Sequence, residues 1–224
     1  MVEDFDNYAD NYEQLLAASL KGFGAEMAYY RRRKAAIARS ICPGPVGSFL
    51  EYGCGTGGNL PFLRNAFPKA KAAGCDVSAA SLAVAAAAAP WAEIFPSDGD
   101  APLGSHDVVF VANVFHHVPV PDRPALAARM ASALRPGGTL LIFEHNPYNP
   151  VTRRIVSTCP FDADAKLLRP AETAGLLAGA GLTGIRQRYT LFFPASLALL
   201  AGLERFCGRI PLGGQYVSWG VAAR

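Results

Sequence analysis

At 224 residues, with 51% hydrophobic and 17% charged positions, the chain is long enough to bury a core without disulfides or metal, and its length fits one main domain with an added segment. That composition speaks against disorder except at the ends. Its 21 basic residues face 18 acidic ones, and no basic stretch extends beyond Arg31-Arg32-Arg33-Lys34, so the several phosphate contacts of a nucleic-acid binder are not provided and that run reads as a solvated helix face ahead of an anion site.

Met1 is followed by Val-Glu-Asp-Phe-Asp, which has neither the basic start nor the apolar core of a signal peptide. The cysteines at 42, 54, 75, 159 and 207 are odd in number, scattered and without CxxC spacing, so neither a disulfide framework nor structural zinc is expected and a cytoplasmic location is. From Tyr8 to Ile41 the mixed polar and aromatic pattern predicts two helices joined near Gly22 to Gly24. They make an N-terminal helical cap over residues 1–45, closed by the Pro/Gly-rich stretch Cys42 to Gly47, and residues 46–224 make the main domain.

Ser48 to Tyr52 predicts a strand that runs into a glycine turn, with a helix from Asn59 to Phe67 beyond it. A second strand from Ala70 to Cys75 stops at Asp76, and Ser78 caps an Ala-rich helix over 79–89 that Pro90 ends. Ala92 to Phe95 is a brief third strand, and Asp107 to Asn113, rich in β-branched residues, is the clearest buried one. A helix over 122–134, a turn at Arg135 to Gly138 and a strand over 139–143 follow, then a helix over 170–180 and strands near 184–191 and 215–223. This alternation predicts an α/β fold, a Rossmann-like, doubly wound, mostly parallel seven-stranded sheet with helices on both faces. Ligands then sit at the carboxyl ends of the strands.

The segments about 147–170 and 192–213 read as substrate-side insertions. The apolar run Leu191 to Leu203 is too short to span a membrane and holds Pro194. A buried helix is its ordinary explanation, with a substrate pocket, a dimer face or peripheral lipid contact as the others.

Between the first strand and its helix, Gly53, Gly55 and Gly57 bring backbone N–H groups and a helix N-terminus close to a bound group. Gly53, Gly55 and Gly58 also satisfy G-x-G-x-x-G, so the turn by itself does not choose between a nicotinamide dinucleotide and S-adenosylmethionine (SAM). Asp76 stands where a carboxylate accepts ribose hydrogen bonds in either case.

Taken in order, Glu51-x-Gly53-x-Gly55-x-Gly57, Asp76, Ser97-Asp98, the run from Asp107 to His117 and Leu134-Arg-Pro-Gly-Gly138 resemble the class I SAM-dependent methyltransferases. The resemblance covers roughly Phe49 to Ile142, and Phe5 to Tyr12 resembles that family's N-terminal lead-in. It implies SAM as cofactor, with Glu51, Gly53, Gly55 and Gly57 bordering the methionine end, Asp76 holding the ribose hydroxyls, Asp98 with Gly99 at the adenine edge and Asn113 closing the pocket. Tyr12 and Val77 join the cofactor set.

SAM supplies an activated carbon, so the protein has to align an acceptor and, for an OH or NH group, receive a proton. His116, His117 and His145 follow the fourth and fifth strands on the rim where the methyl group is expected and are the candidate bases. Tyr8, Tyr30, Glu144, Tyr148 and Arg154 are the candidate acceptor contacts. The histidine pairs would suit a metal, but the carboxylate pattern needed to finish a site is not legible in the sequence, so metal is the lesser reading and none is assigned. The reading is a methyltransferase acting on a small, apolar or aromatic metabolite, with O-methylation ahead of N- or C-methylation, in a monomer or homodimer without nucleic acid. Its rivals are a nicotinamide-dependent oxidoreductase, although Tyr30-x-x-x-Lys34 precedes the glycine turn, and a catalytically silent SAM-binding partner protein.

Overall fold

The structure is a computed structural model and describes residues 27–98, 104–159, 162 and 164–223. Tyr8, Tyr12, Gly99 and the first of the two N-terminal helices lie outside the described residues.

Strands β1 (Ser48–Tyr52), β2 (Lys71–Asp76), β3 (Glu93–Pro96), β4 (His106–Ala112), β5 (Leu134–His145), β6 (Thr183–Thr190) and β7 (Gln215–Val221) form one sheet in the order β3-β2-β1-β4-β5-β7-β6. The first five pair in parallel, and β7 inserts antiparallel between β5 and β6. The mostly parallel seven-stranded sheet expected from the sequence is what the chain forms.

Alternation along the central strands builds two cores. Leu50, Val109, Val111, Leu140 and Ile142 face one way, toward Met130 of α4 (Arg123–Ser132) and Leu177 of α6 (Pro170–Gly179). Phe49, Phe110, Leu141 and Phe143 face the other way, toward Ala35 and Ala38 of α1 (Met27–Ile41) and Leu60 and Leu63 of α2 (Leu60–Ala66). A sheet buried on both faces needs near-continuous apolar strands, which is why β4 reads His-Asp-Val-Val-Phe-Val-Ala. Helix α3 (Ala79–Ala88) starts at Ser78, whose hydroxyl accepts the Ser81 N–H at 3.0 Å.

Three features differ from the sequence expectations. Arg135 to Gly138 is no free turn but lies inside β5, at a register shift against β4; an added Cβ on Gly138 stands 2.8 Å from the His106 carbonyl. Helix α5 (Pro150–Thr158) occupies the first insertion, capped by Asn149, whose side-chain oxygen accepts the N–H groups of Val151 and Thr152. The apolar run near 191–203 is no buried helix: Ala195–Leu203 is a 3₁₀ segment with Leu197, Leu199, Leu200 and Leu203 exposed, followed by α7 (Glu204–Cys207). Its non-helical Leu197 breaks the periodicity a buried helix needs. Among the described residues no helix is long and apolar enough to cross a membrane.

Candidate functional site

A single cavity of about 760 Å³ opens along the carboxyl ends of β1, β2, β4 and β5. Its first half is the glycine turn. Gly53, Gly55 and Gly57 have φ of +73°, +51° and +80°, a region where a side chain strains the backbone. Gly53 and Cys54 donate to the Cys75 carbonyl, locking the turn onto β2. A Cβ at Gly53 would stand 2.4 Å from Val114 Cγ2, whereas one at Gly55 meets nothing within 4 Å among the described residues.

Asp76 closes this half. Its Oδ2 accepts the Gly55 N–H at 2.7 Å and its Oδ1 the Ser78 N–H at 3.0 Å, which leaves each oxygen a second lone pair. Val77 (73% exposed), Ser97 and Asp98 continue the wall. Opposite, Asn113 takes φ of +60°, donates its N–H to the Phe143 carbonyl and accepts Gln215 Nε2 through its side chain.

Histidines line the other half. The His116 ring centroid lies 4.1 Å from that of His117 and 5.0 Å from that of His145. Glu144 is fully buried behind them: Oε1 accepts the N–H groups of Val114 and Phe115, and Oε2 lies 2.6 Å from His116 Nδ1. Asp162 Oδ1 lies 3.4 Å from both His116 Nε2 and His117 Nε2. Burial lowers the His116 pKa, but the carboxylates of Glu144 and Asp162 outweigh it and hold the group at about 9. Burial and the His116 charge push His117 and His145 down to about 4. Ile155 of α5 and Leu191, Phe192 and Pro194 complete the apolar side. Glu204 holds that segment, accepting the N–H groups of Leu191 and Phe192 and pairing with Arg33 of α1 at 2.9 Å.

Residues 49–138 match the family profile of a methyltransferase domain. The chain is 29% identical over 175 residues to the trans-aconitate 2-methyltransferase of Deinococcus radiodurans, covering 70% of this chain and 67% of that one. It is 31% identical over 151 residues to the trans-aconitate 2-methyltransferase of an Azoarcus species, covering 66% of this chain but only 56% of the relative. In fold it resembles Haemonchus contortus phosphoethanolamine N-methyltransferase 2, solved with S-adenosyl-L-methionine, at a TM-score of 0.67 and 17% identity, over all of this chain and 61% of that one. Residues 49–138 are thus similar to a methyltransferase domain, on a fold shared with solved SAM-dependent methyltransferases.

SAM is the molecule bound in that Haemonchus contortus structure, and the residues present here suit it. The space over Gly55, open among the described residues, is a cradle that any side chain there would enter. Among the described residues Oδ1 of Asn59 and Oε2 of Glu51 are buried without a partner, while Asn59 Nδ2 donates to Glu51 Oε1 at 2.7 Å. An amino-acid ammonium satisfies acceptors of that kind. Burial pushes the Glu51 carboxyl up to about 8, against the lowering effects of Asn59, Lys34 and Arg31.

Of the residues singled out in the sequence, Gly53, Gly55, Asp76, Val77, Asp98, Asn113, Tyr30, His116, His117 and His145 line the cavity. Glu51 and Gly57 stand behind it, Glu51 fully buried and Gly57 packed on Ala85. Three expected acceptor contacts fall elsewhere. Glu144 spends its oxygens on His116 and two backbone amides, Tyr148 is half exposed outside the cavity, and Arg154 is exposed on the outer side of α5.

The solvated helix face expected at Arg31 to Lys34 is corrected by the structure, and Asp162 was missed. Lys34 is buried, with its pKa lowered to about 8 by burial and by Arg31, and Arg31 lines the cavity with its guanidinium where a Gly58 side chain would be. The signal was present in α1: Lys34, Ala35, Ile37 and Ala38 are its buried residues, and Arg31 lies one turn before Lys34 and Ala35. Asp162 gave no local signal, since it lies 45 residues (162 − 117) beyond His117.

Proposed function

We propose that this methyltransferase moves the methyl group of SAM to an oxygen of a small metabolite held at the histidine end of the cavity. The observation that carries this reading is continuity: one space of about 760 Å³ runs from the glycine turn and Asp76 to His116, His117 and His145. That volume is in the usual range for a small-molecule site, about 300–1,000 Å³.

The roles follow from position. Asp76 takes the ribose hydroxyls through its remaining lone pairs, Val77 and Asp98 border the adenine, and Asn59 with Glu51 receives the amino group. Arg31, at the same end, suits the cofactor's carboxylate. When bound, SAM supplies a sulfonium-activated methyl carbon. The chain's own contribution is alignment and water exclusion by Tyr30, Ile155, Leu191 and Phe192, with His145, unprotonated at neutral pH, placed to accept a hydrogen bond from an acceptor hydroxyl.

The apolar wall suits an acceptor with an apolar or aromatic body, and the imidazoles suit an oxygen-bearing end. The trans-aconitate methyltransferases among the relatives make a carboxylic acid the first acceptor to try. The test is mass-spectrometric detection of methyl transfer from labelled SAM to trans-aconitate and to a panel of aromatic hydroxy acids. Transfer to an oxygen supports the proposal. A protein that SAM and S-adenosylhomocysteine both fail to stabilise, or that methylates only nitrogen or carbon, overturns it.

A further inference from the structure

We propose that His116, His117 and Asp162 bind a divalent transition-metal ion at the acceptor end of the cavity. Nε2 of each histidine stands 3.4 Å from the same oxygen, Asp162 Oδ1, and the three donor atoms lie within 4.8 Å of one another. Two donors each about 2.1 Å from one ion, at the tetrahedral angle, are about 3.4 Å apart. A charge-assisted N–H···O hydrogen bond closes instead to about 2.7–2.9 Å. The two histidine–Asp162 pairs stand at the spacing of ligands around an ion.

The surroundings are built for the same purpose. His116 commits Nδ1 to Glu144 at 2.6 Å, which leaves Nε2 for the cavity; metal-ligating histidines carry this carboxylate partner on the other ring nitrogen. Glu144 is fixed in turn by the amides of Val114 and Phe115. The loop carrying Asp162 is tied down by Lys166 N–H donating to the His116 carbonyl at 2.8 Å, and by buried Arg123, which bonds the carbonyls of Val118 and Lys166. Asp162 N–H donates to the Cys159 carbonyl.

Two imidazoles and one carboxylate suit zinc, ferrous or cobaltous ion; magnesium and calcium sites are made of oxygen ligands. Three protein ligands leave coordination positions open, and all three residues line the cavity, so those positions face the space where an acceptor sits. An acceptor with two neighbouring oxygens, such as a 2-hydroxy or 2-oxo carboxylate, fills them. This last step rests on the methyl-transfer reading; the ion site does not.

The test uses tag-free, chelator-stripped protein titrated with Co²⁺, read by visible absorption, and with Zn²⁺, read by calorimetry. One equivalent of each binds, Co²⁺ gives ligand-field bands, and His117→Ala and Asp162→Asn each weaken binding by tenfold or more. Glu144→Gln, which touches the ligand and not the ion, weakens it by about 10- to 100-fold. The SAM-induced thermal shift, read in the same variants, reports that they are folded. No bands and no heat at large molar excess in the parent protein overturn the site, as does binding that His117→Ala and Asp162→Asn leave unchanged. Ion binding without methyl transfer refutes the acceptor reading alone, and methyl transfer without ion binding refutes the ion site alone.

Discussion

Replacing Gly53 and Gly55 by alanine, two residues apart in one turn, should produce two different defects. Both have positive φ, so each alanine costs about 1–2 kcal/mol of backbone strain. At Gly53 the new methyl also stands 2.4 Å from Val114 Cγ2, and overpacking of that kind adds about 1–3 kcal/mol. The sum, about 2–5 kcal/mol, lowers Tm by roughly 4–20 °C at about 2–4 °C per kcal/mol for a chain of this size. At Gly55 the methyl meets nothing among the described residues, so only the strain remains and Tm falls by roughly 2–8 °C. That open space is where we place SAM, and the same about 1–3 kcal/mol of crowding now acts on the ligand, weakening Kd by about 5- to 150-fold. Scanning calorimetry gives the stabilities and isothermal titration with SAM gives the affinities. Val114→Ala in the Gly53→Ala background should recover part of the stability, and in the Gly55→Ala background none. Gly55→Ala that binds SAM as tightly as the parent would refute the placement of the cofactor over this turn.

Asp76→Asn presents an NH₂ group to one of the two backbone donors, Gly55 N–H or Ser78 N–H, and removes a charged acceptor worth about 1.5–3 kcal/mol, so SAM affinity falls by about 10- to 150-fold; an unchanged Kd by calorimetry counts against its ribose role. Glu51 keeps its proton in the folded chain up to about pH 8, whereas the unfolded carboxyl loses it near 4.5, so the folded state binds more protons in between. Its contribution is complete below pH 4.5 and is lost as pH rises to about 8, so the urea midpoint should decline over that window relative to Glu51→Gln; a constant difference refutes the shift. Glu204→Ala strips the acceptor from the N–H groups of Leu191 and Phe192 and the partner from Arg33, at a cost of about 2–4 kcal/mol, and Tm should fall further than in Arg33→Ala, in which the two amides keep their acceptor. Equal effects of the two changes would show that the ion pair, not the amide cap, holds the segment.

The parts of the fold legible in the sequence are those where one local rule acts alone. β4 is buried on both faces, so its apolar run has a single reading. The boundary at Ser78 is a side-chain cap and needs no tertiary information. The failures have tertiary causes. Gly137 and Gly138 spell a turn, yet β5 continues through them because Leu134 pairs with His106 across a register shift. The run from Leu191 has the composition of a core helix, but Leu191 adopts φ of +59° and Glu204 caps its backbone, so the chain turns into a 3₁₀ segment with Leu199 fully exposed.

The two halves of the cavity differ in legibility for a related reason. A cofactor that lies against backbone selects positive φ and close approach, and both demand glycine at fixed spacing, so Gly53, Gly55 and Gly57 announce it within five residues. The acceptor half is assembled from side chains on separate elements: Tyr30 on α1, His116 and His117 after β4, His145 on β5, Ile155 on α5 and Phe192 after β6. No spacing rule links them. Asp162 is the sharpest instance. It meets His116 and His117 on a loop held by three bonds: the Lys166 amide donates to the His116 carbonyl, and Arg123 bridges the carbonyls of Val118 and Lys166. A reading confined to the strand ends sees two histidines and Glu144, which binds the far side of His116; the folded loop supplies a carboxylate oxygen 3.4 Å from Nε2 of both histidines.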